Sequence, residues 1–257
     1  MPKLRLAWKV WQRDADVYRV TWKTNMIPPL AEPLLYLAAF GAGLGAIVET
    51  VPYRGAQVSY AAFIAPGLMA VGVMFHAFFE NTYSTFVRMH YQKTFDALLA
   101  TPLGAADIVL GELLWGASKG FFAGALMMAV ILLFGLLQLP SALWILPWSL
   151  ATGLMFASLG MCFTSRVPNI DAFNLPTFLL ITPMYLFSGT FFPLEVLPPW
   201  ARAAAWALPL THASSVTRGL AFGEPPAAHA ASILYVACFT AAASWLSLRW
   251  MRRRIIR

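Results

Sequence analysis

Four ionisable side chains interrupt long apolar stretches of this sequence. His76 and Glu80 lie near the end of one stretch, and Glu112 and Lys119 near the start of another. A charge inside an apolar run of membrane length is costly, so such residues pair, snorkel to an interface or serve a pathway. Glu80 follows His76 by one turn, and Lys119 follows Glu112 by about two. Pairing or snorkelling suffices for Glu80, Glu112 and Lys119, and polar packing is set above a proton relay for His76. Enzymatic signatures are absent. There is no G-x-x-x-x-G-K-[ST] phosphate loop, no H-E-x-x-H, no G-x-S-x-G, no cysteine–histidine cluster and no pair of carboxylates deep in a span. The expected catalytic and metal-ligand sets are therefore empty. Cys162 and Cys238 fall inside apolar runs and read as small buried hydrophobes.

A different kind of chemistry, docking, is written between residues 88 and 111, RMHYQKTFDALLATPLGAADIVLG. Phe95, Leu98 and Leu99 recur at helical spacing, Pro102-Leu103-Gly104 breaks the chain, and Asp107 can cap the helix that follows. This predicts a short amphipathic helix ending in a turn, able to dock into a groove on a soluble partner. A plain loop is the alternative.

The elements that position these residues follow from composition. The chain is 60% hydrophobic and 11% charged, with mean hydropathy +0.67, against roughly 25% charged residues in soluble domains. The apolar residues gather in six runs near the length that crosses a bilayer: Leu30–Val48, Tyr60–Glu80, Glu112–Leu137, Leu143–Thr164, Phe173–Phe192 and His229–Leu248. A backbone in lipid must satisfy its own hydrogen bonds, so the runs are predicted to be helices. The first 25 residues lack the short apolar core and cleavage site of a signal peptide, and the first span is expected to act as the insertion signal. Fourteen Lys and Arg residues fall before the first run, in the second-to-third and fourth-to-fifth connections and in the tail, against Arg54, Arg202 and Arg218 on the other side. By the positive-inside rule both termini are expected in the cytoplasm. The same topology accounts for a pI near 9.7 without nucleic-acid binding.

Three further patterns complete the layout. Leu4, Trp8, Trp11, Ala15, Tyr18 and Trp22 share one stripe, with Lys9, Arg13, Asp16 and Lys23 on other faces. This predicts an interfacial helix over residues 1–25, a helix packed on another domain being the alternative. Residues 193–226 carry helix-forming alanines cut by Pro198, Pro199 and Pro209. Two short helices dipping into the outer leaflet are expected there, with a simple external loop as the alternative. Gly116, Gly120 and Gly124 form a small-residue ladder for close packing within one subunit.

The segments FFENTYSTFVRM (78–89), TFDALLATPLGAADIVLGEL (94–113), FASLGMCFTS (156–165) and ITPMYLFSGTFFPLEVLPPW (181–200) resemble the ABC-2 type exporter permeases. With AEPLLYLAAFGAGLG (31–45), the likeness is greatest to the nodulation-factor exporter permeases, which move lipo-chitooligosaccharides. The resemblance covers nearly the whole chain and implies a single all-α transmembrane domain over residues 1–257. That domain has six spans, an N-terminal interfacial helix, a cytoplasmic coupling helix and a re-entrant helical hairpin before the last span. It implies a bacterial inner-membrane protein that pairs with two ATPase subunits, which bind ATP and Mg, while this chain binds no cofactor. Carried over by motif, the ATPase-coupling residues are Thr94, Phe95, Asp96, Leu98, Leu99, Thr101 and Pro102. Spans one, two and five would line the passage, with Phe75, Phe78, Phe79, Tyr185 and Phe187 as its aromatic walls.

Six helices offer a poor pathway for a bulky cargo, so a second copy of the chain, or a close homologue, is expected about a two-fold axis. The first and fifth spans suit that contact, thinned by Gly41, Gly43 and Gly45 and distorted by Pro176 and Pro183. Within the exporter class a drug, an antibiotic or a polysaccharide could replace the lipo-oligosaccharide. The rival classes are an ATP-independent channel and a lipid-modifying enzyme.

Overall fold

A computed structural model describes residues 4–255. Lys3 and Arg257, counted above among the positive charges, lie outside the described residues. The chain is a bundle of helices. α1 runs Leu4–Val48, and a hairpin of β1 (Thr50–Tyr53) and β2 (Ala56–Ser59) leads into α2 (Tyr60–Tyr91). A short α3 (Thr94–Leu99) precedes α4 (Ala105–Leu133) and α5 (Ser141–Thr164). An irregular but continuous helix, α6, covers 171–187. α7 (Pro199–Trp206) and α8 (Pro209–Ala221) precede α9 (Pro226–Ile255).

Five described helices, α1, α2, α4, α5 and α9, are long and apolar enough to cross a membrane. The expected fifth span, Phe173–Phe192, is not among them. Its helix passes through a π turn at Thr177–Ile181 and ends at Phe187, and Gly189 takes φ +70°. Pro176 and Pro183 each remove an N–H from its helical ladder without interrupting it. The predicted separation between an interfacial helix and span one is also absent. Residues 4–48 form one unbroken helix through Pro28 and Pro29, widened to a π helix over Leu37–Leu44. The aromatic stripe is divided. Trp11 and Tyr18 pack on Trp115 of α4, while Trp8 and Trp22 stay about half exposed.

The hairpin was not foreseen. Its register pairs Val51 with Val58, and the two residues of its turn, Arg54 and Gly55, take φ +49° and +82°. Two successive left-handed residues match the twist of a tight antiparallel hairpin. α2 starts at Ser59, whose hydroxyl accepts from the Ala62 N–H at 3.3 Å. α4 starts at Gly104, whose N–H donates to Asp107 Oδ2 at 3.0 Å, the cap expected from sequence.

The glycine ladder of α4 faces inward. A Cβ on Gly116 would meet Asn81 Nδ2 at 1.7 Å, one on Gly120 would meet the Gly153 Cα at 3.2 Å, and one on Gly124 would meet Ser149 Oγ at 2.7 Å. The ladder therefore seats α4 against α2 and α5 of the same chain. Cys162 is buried, with its thiol donating to the Ala243 carbonyl at 3.3 Å. Cys238 is exposed on α9, contrary to expectation, because its helix is covered on one side only.

Long-range contacts sort the two ends of the bundle. Arg13 meets Thr94, and Arg254 meets both the Thr164 carbonyl and His90 at one end. At the other end Arg54 meets Glu224, Gln138 meets Ala221 and the Tyr60 hydroxyl meets the Phe191 carbonyl. The described ends of the chain thus lie at the same end as α3.

Candidate functional site

Three of the four intramembrane polar residues singled out by sequence come together around a fourth residue that sequence reasoning treated only as a topological charge. Arg88, near the end of α2, donates from Nη1 to Glu80 Oε1 at 2.7 Å and from Nη2 to Glu112 Oε2 at 2.5 Å. Its Nε lies 3.2 Å from both Glu112 oxygens, and its Nη2 also donates to Thr85 Oγ1 at 3.1 Å. The Thr85 hydroxyl in turn donates to Glu112 Oε2 at 2.8 Å. Trp115 donates to Glu80 at 3.1 Å, and Lys119 Nζ stands 4.0 Å from Glu80 Oε2. Glu112 is fully buried and Glu80 nearly so.

The geometry depends on the backbone. Glu80 and Arg88 lie eight residues apart, which leaves them well off a common face in a regular α-helix. The π turn Glu80–Ser84 supplies the extra residue that brings them to one face. Glu112 then approaches from α4, so the guanidinium ties the second span to the third. A buried carboxylate left without a partner is costly, and the fork of Arg88 satisfies one on each helix.

The N-terminal helix closes this cluster. Asp14 is 4% exposed, held on one oxygen by Arg13 at 2.7 Å. Arg13 reaches on to Thr94 Oγ1 at 3.4 Å. Lys119 sits 4.5 Å above the Tyr18 ring and donates to Asn25 Oδ1 at 3.4 Å. A polar cavity of about 360 Å³ lies among Asp14, Tyr18, Glu80, Arg88, Trp115 and Lys119. His76 stays outside the cluster, its Nε2 3.4 Å from Glu32 of α1. Sequence periodicity does not single out Asp14, which lies beside the stripe formed by Trp11 and Tyr18.

The short helix expected after α2 is present as Thr94–Leu99, entered through Lys93 at φ +54°. Its apolar face points inward. Phe95 is 1% exposed within the chain's own core, and Leu98 and Leu99 are half-buried. The expectation that Phe95 projects toward a partner groove is thereby corrected. A six-residue helix has little stability of its own, and burying Phe95 anchors it to the bundle. Its outward face is Asp96, Ala97, Ala100, Thr101 and Pro102.

The aromatic residues proposed as walls divide in two. Phe75, Phe79 and Tyr185 join a continuous line of rings running Phe40, Phe191, Tyr185, Phe75, Phe79, Tyr83, Phe173, with successive centroids 5.0 to 5.7 Å apart. These rings come from α1, α2, α6 and the irregular segment after α6. Phe78 turns the other way, fully buried against Phe163 of α5. Phe187 is 47% exposed and lies off the line.

Comparison with known proteins gives a consistent picture. The profile of the ABC-2 type transporter membrane family matches residues 5–222. Nodulation protein J of Rhizobium leguminosarum bv. trifolii is 38% identical over all of this chain and 97% of its own length. Nodulation protein J of Bradyrhizobium diazoefficiens is 36% identical over all of this chain and 97% of its own. The inner membrane transport permease YadH of Escherichia coli K12 is 27% identical over 79% of this chain and 77% of its own.

Proposed function

This chain belongs to the ABC-2 type transporter family as a multi-pass membrane permease, and from that premise we propose that it is the membrane half of an ATP-driven exporter moving an amphipathic, lipid-linked oligosaccharide outward. The observation that carries the cargo class is the line of rings from Phe40 to Phe173. Aromatic faces accept both acyl chains and the apolar faces of sugar rings. The nodulation proteins among its relatives favour the same cargo over a drug, an antibiotic or an unlipidated polysaccharide.

The chain lacks a phosphate loop, so a separate cytoplasmic ATPase, in two copies, binds ATP and Mg and supplies the work. Its motion enters through the outward face of α3, from Asp96 to Pro102. From there it passes through Thr94 and Arg13 to Asp14 on α1, and through the Arg88 fork to Glu80 on α2 and Glu112 on α4. Both termini and α3 face the cytoplasm of a bacterial inner membrane, and α7 and α8 dip into the outer leaflet. Two copies of the chain meet along α1 and α6, whose Leu35, Phe178 and Leu179 are about two-thirds exposed, and the ring line faces the passage between them.

The test is copurification of an ATPase with the tagged chain, followed by reconstitution in vesicles with lipo-oligosaccharide inside or outside. Hydrolysis stimulated by the cargo is expected. An active chain that retains no ATPase, or transport unaffected by removing ATP, would refute the reading. Single cysteines along α1 and α6, in a chain lacking Cys162 and Cys238, should crosslink between copies on one face.

A further inference from the structure

The end of the bundle opposite the Arg88 cluster holds a second buried guanidinium, and this one has no carboxylate. Arg218, in the last turn of α8, is 5% exposed. Its Nε donates to the Phe63 carbonyl at 2.9 Å, and its Nη2 donates to the carbonyls of Gly189 at 2.7 Å and Thr190 at 3.5 Å. Its carbon lies 4.1 Å above the Phe63 ring. No carboxylate oxygen comes within ion-pair distance among the described residues. Glu224 is engaged by Arg54 and by His229, and Glu195 is exposed. A buried cation held only by neutral oxygens and a ring is poorly compensated, because desolvation costs several kcal/mol per ion.

The surroundings are built around that charge. Gly67 of α2 has no side chain where Arg218 passes; a Cβ there would stand 2.8 Å from Nη2. The Ser188 and Thr190 hydroxyls beside it are buried and find no hydrogen-bond partner among the described residues. Buried polar groups are nearly always paired, so two orphans next to an unneutralised arginine point to a group that completes them. Among the described residues no acceptor is found for the Arg218 Nη1 donors. Arg218, Ser188, Ser214, Tyr53, Arg54 and the exposed Glu195 line a cavity of about 120 Å³. That volume suits one small acidic group and not an oligosaccharide.

We propose that this cavity is a binding site for a single oxyanion group, a phosphate, sulfate or carboxylate, with Arg218 supplying the charge and the Ser188 hydroxyl a hydrogen bond. The group belongs either to an anionic phospholipid headgroup or to a soluble acidic solute or cargo. The site rests on its own geometry and does not depend on the export reading.

The test uses the full chain in phosphatidylcholine nanodiscs, followed by thermal unfolding. One arm titrates inorganic sulfate against chloride at constant ionic strength. The other replaces part of the lipid with phosphatidylglycerol. The wild type is expected to show a saturable rise in Tm in at least one arm. Ser188→Ala removes a hydroxyl that has no partner in the chain, so without anion its Tm should equal or exceed the wild type. Its half-saturating anion level should rise about tenfold, the loss of one charge-assisted hydrogen bond. Arg218→Lys should weaken the response further, because an ammonium cannot reproduce the fork. A response to phosphatidylglycerol alone assigns the site to lipid, and a response to sulfate assigns it to a soluble acidic group. No saturable response in either arm, or the same half-saturation in wild type and Ser188→Ala, would overturn the proposal.

Discussion

Replacing Arg88 by methionine keeps an unbranched apolar stem and deletes the charged head. Glu112, fully buried, would lose its contacts with Arg88 Nε and Nη2 and keep only the Thr85 hydroxyl at 2.8 Å. Glu80 would lose the 2.7 Å bond from Nη1 but keep Trp115 at 3.1 Å and Lys119 at 4.0 Å. The damage therefore falls mainly on Glu112. Stranding one partner of a buried pair costs about 3–5 kcal/mol, which at about 1.4 kcal/mol per tenfold lowers the folded-to-unfolded ratio more than a hundredfold. Glu112→Leu alone leaves Arg88 with Glu80 and Thr85 and should cost less. The double variant Arg88→Met/Glu112→Leu removes both charges and leaves Glu80 with Lys119. It should be more stable than Arg88→Met alone, with a coupling energy of about 2 kcal/mol or more. The assay is a double-mutant cycle of unfolding midpoints, by detergent titration of the purified chain in mixed micelles. Additivity of the two single changes within about 0.5 kcal/mol would show that the fork does not tie α2 to α4.

Phe95→Ala should act on folding, lowering stability by about 3–5 kcal/mol as a large core deletion. Ala97→Arg on the outward face of α3 should leave the melting curve unchanged and reduce cargo-stimulated ATPase activity of the reconstituted complex; the reverse pattern would refute the assigned faces. Gly116→Ala places a methyl 1.7 Å from Asn81 Nδ2 and should cost about 1–3 kcal/mol in thermal unfolding, so an unaltered Tm would mean that α4 and α2 are not in close contact. Tags at the two termini should both be cut by protease added to sealed inside-out vesicles, and protection of either contradicts the proposed orientation.

Much of this architecture is one-dimensional and could be read from the chain itself. The membrane-spanning runs follow from apolar length, the expected orientation from the placement of Lys and Arg, and the stop after Leu99 from Pro102 and Gly104. The start of α4 is visible in Asp107 and that of α8 in Pro209, because capping and breaking act within a few residues. The glycine ladder on α4 and the polar positions Glu80, Glu112 and Lys119 were equally visible.

Direction and partnership were not. Whether Phe75, Phe78 or Phe79 joins the ring line depends on the rotation of α2, which changes by about 100° per residue. The fork of Arg88 needs a helix 24 residues away at matching depth and a π turn that no local signal marks. Phe95 could point outward or inward until the bundle beneath α3 was in place. α1 runs unbroken through Pro28 and Pro29 and α6 through Pro176 and Pro183, since the packed neighbours decide whether a lost N–H is tolerated. Apolar pattern and local chemistry set which segments cross and where they stop, while tertiary packing alone chose which face of each helix meets which, and so which buried charges are paired.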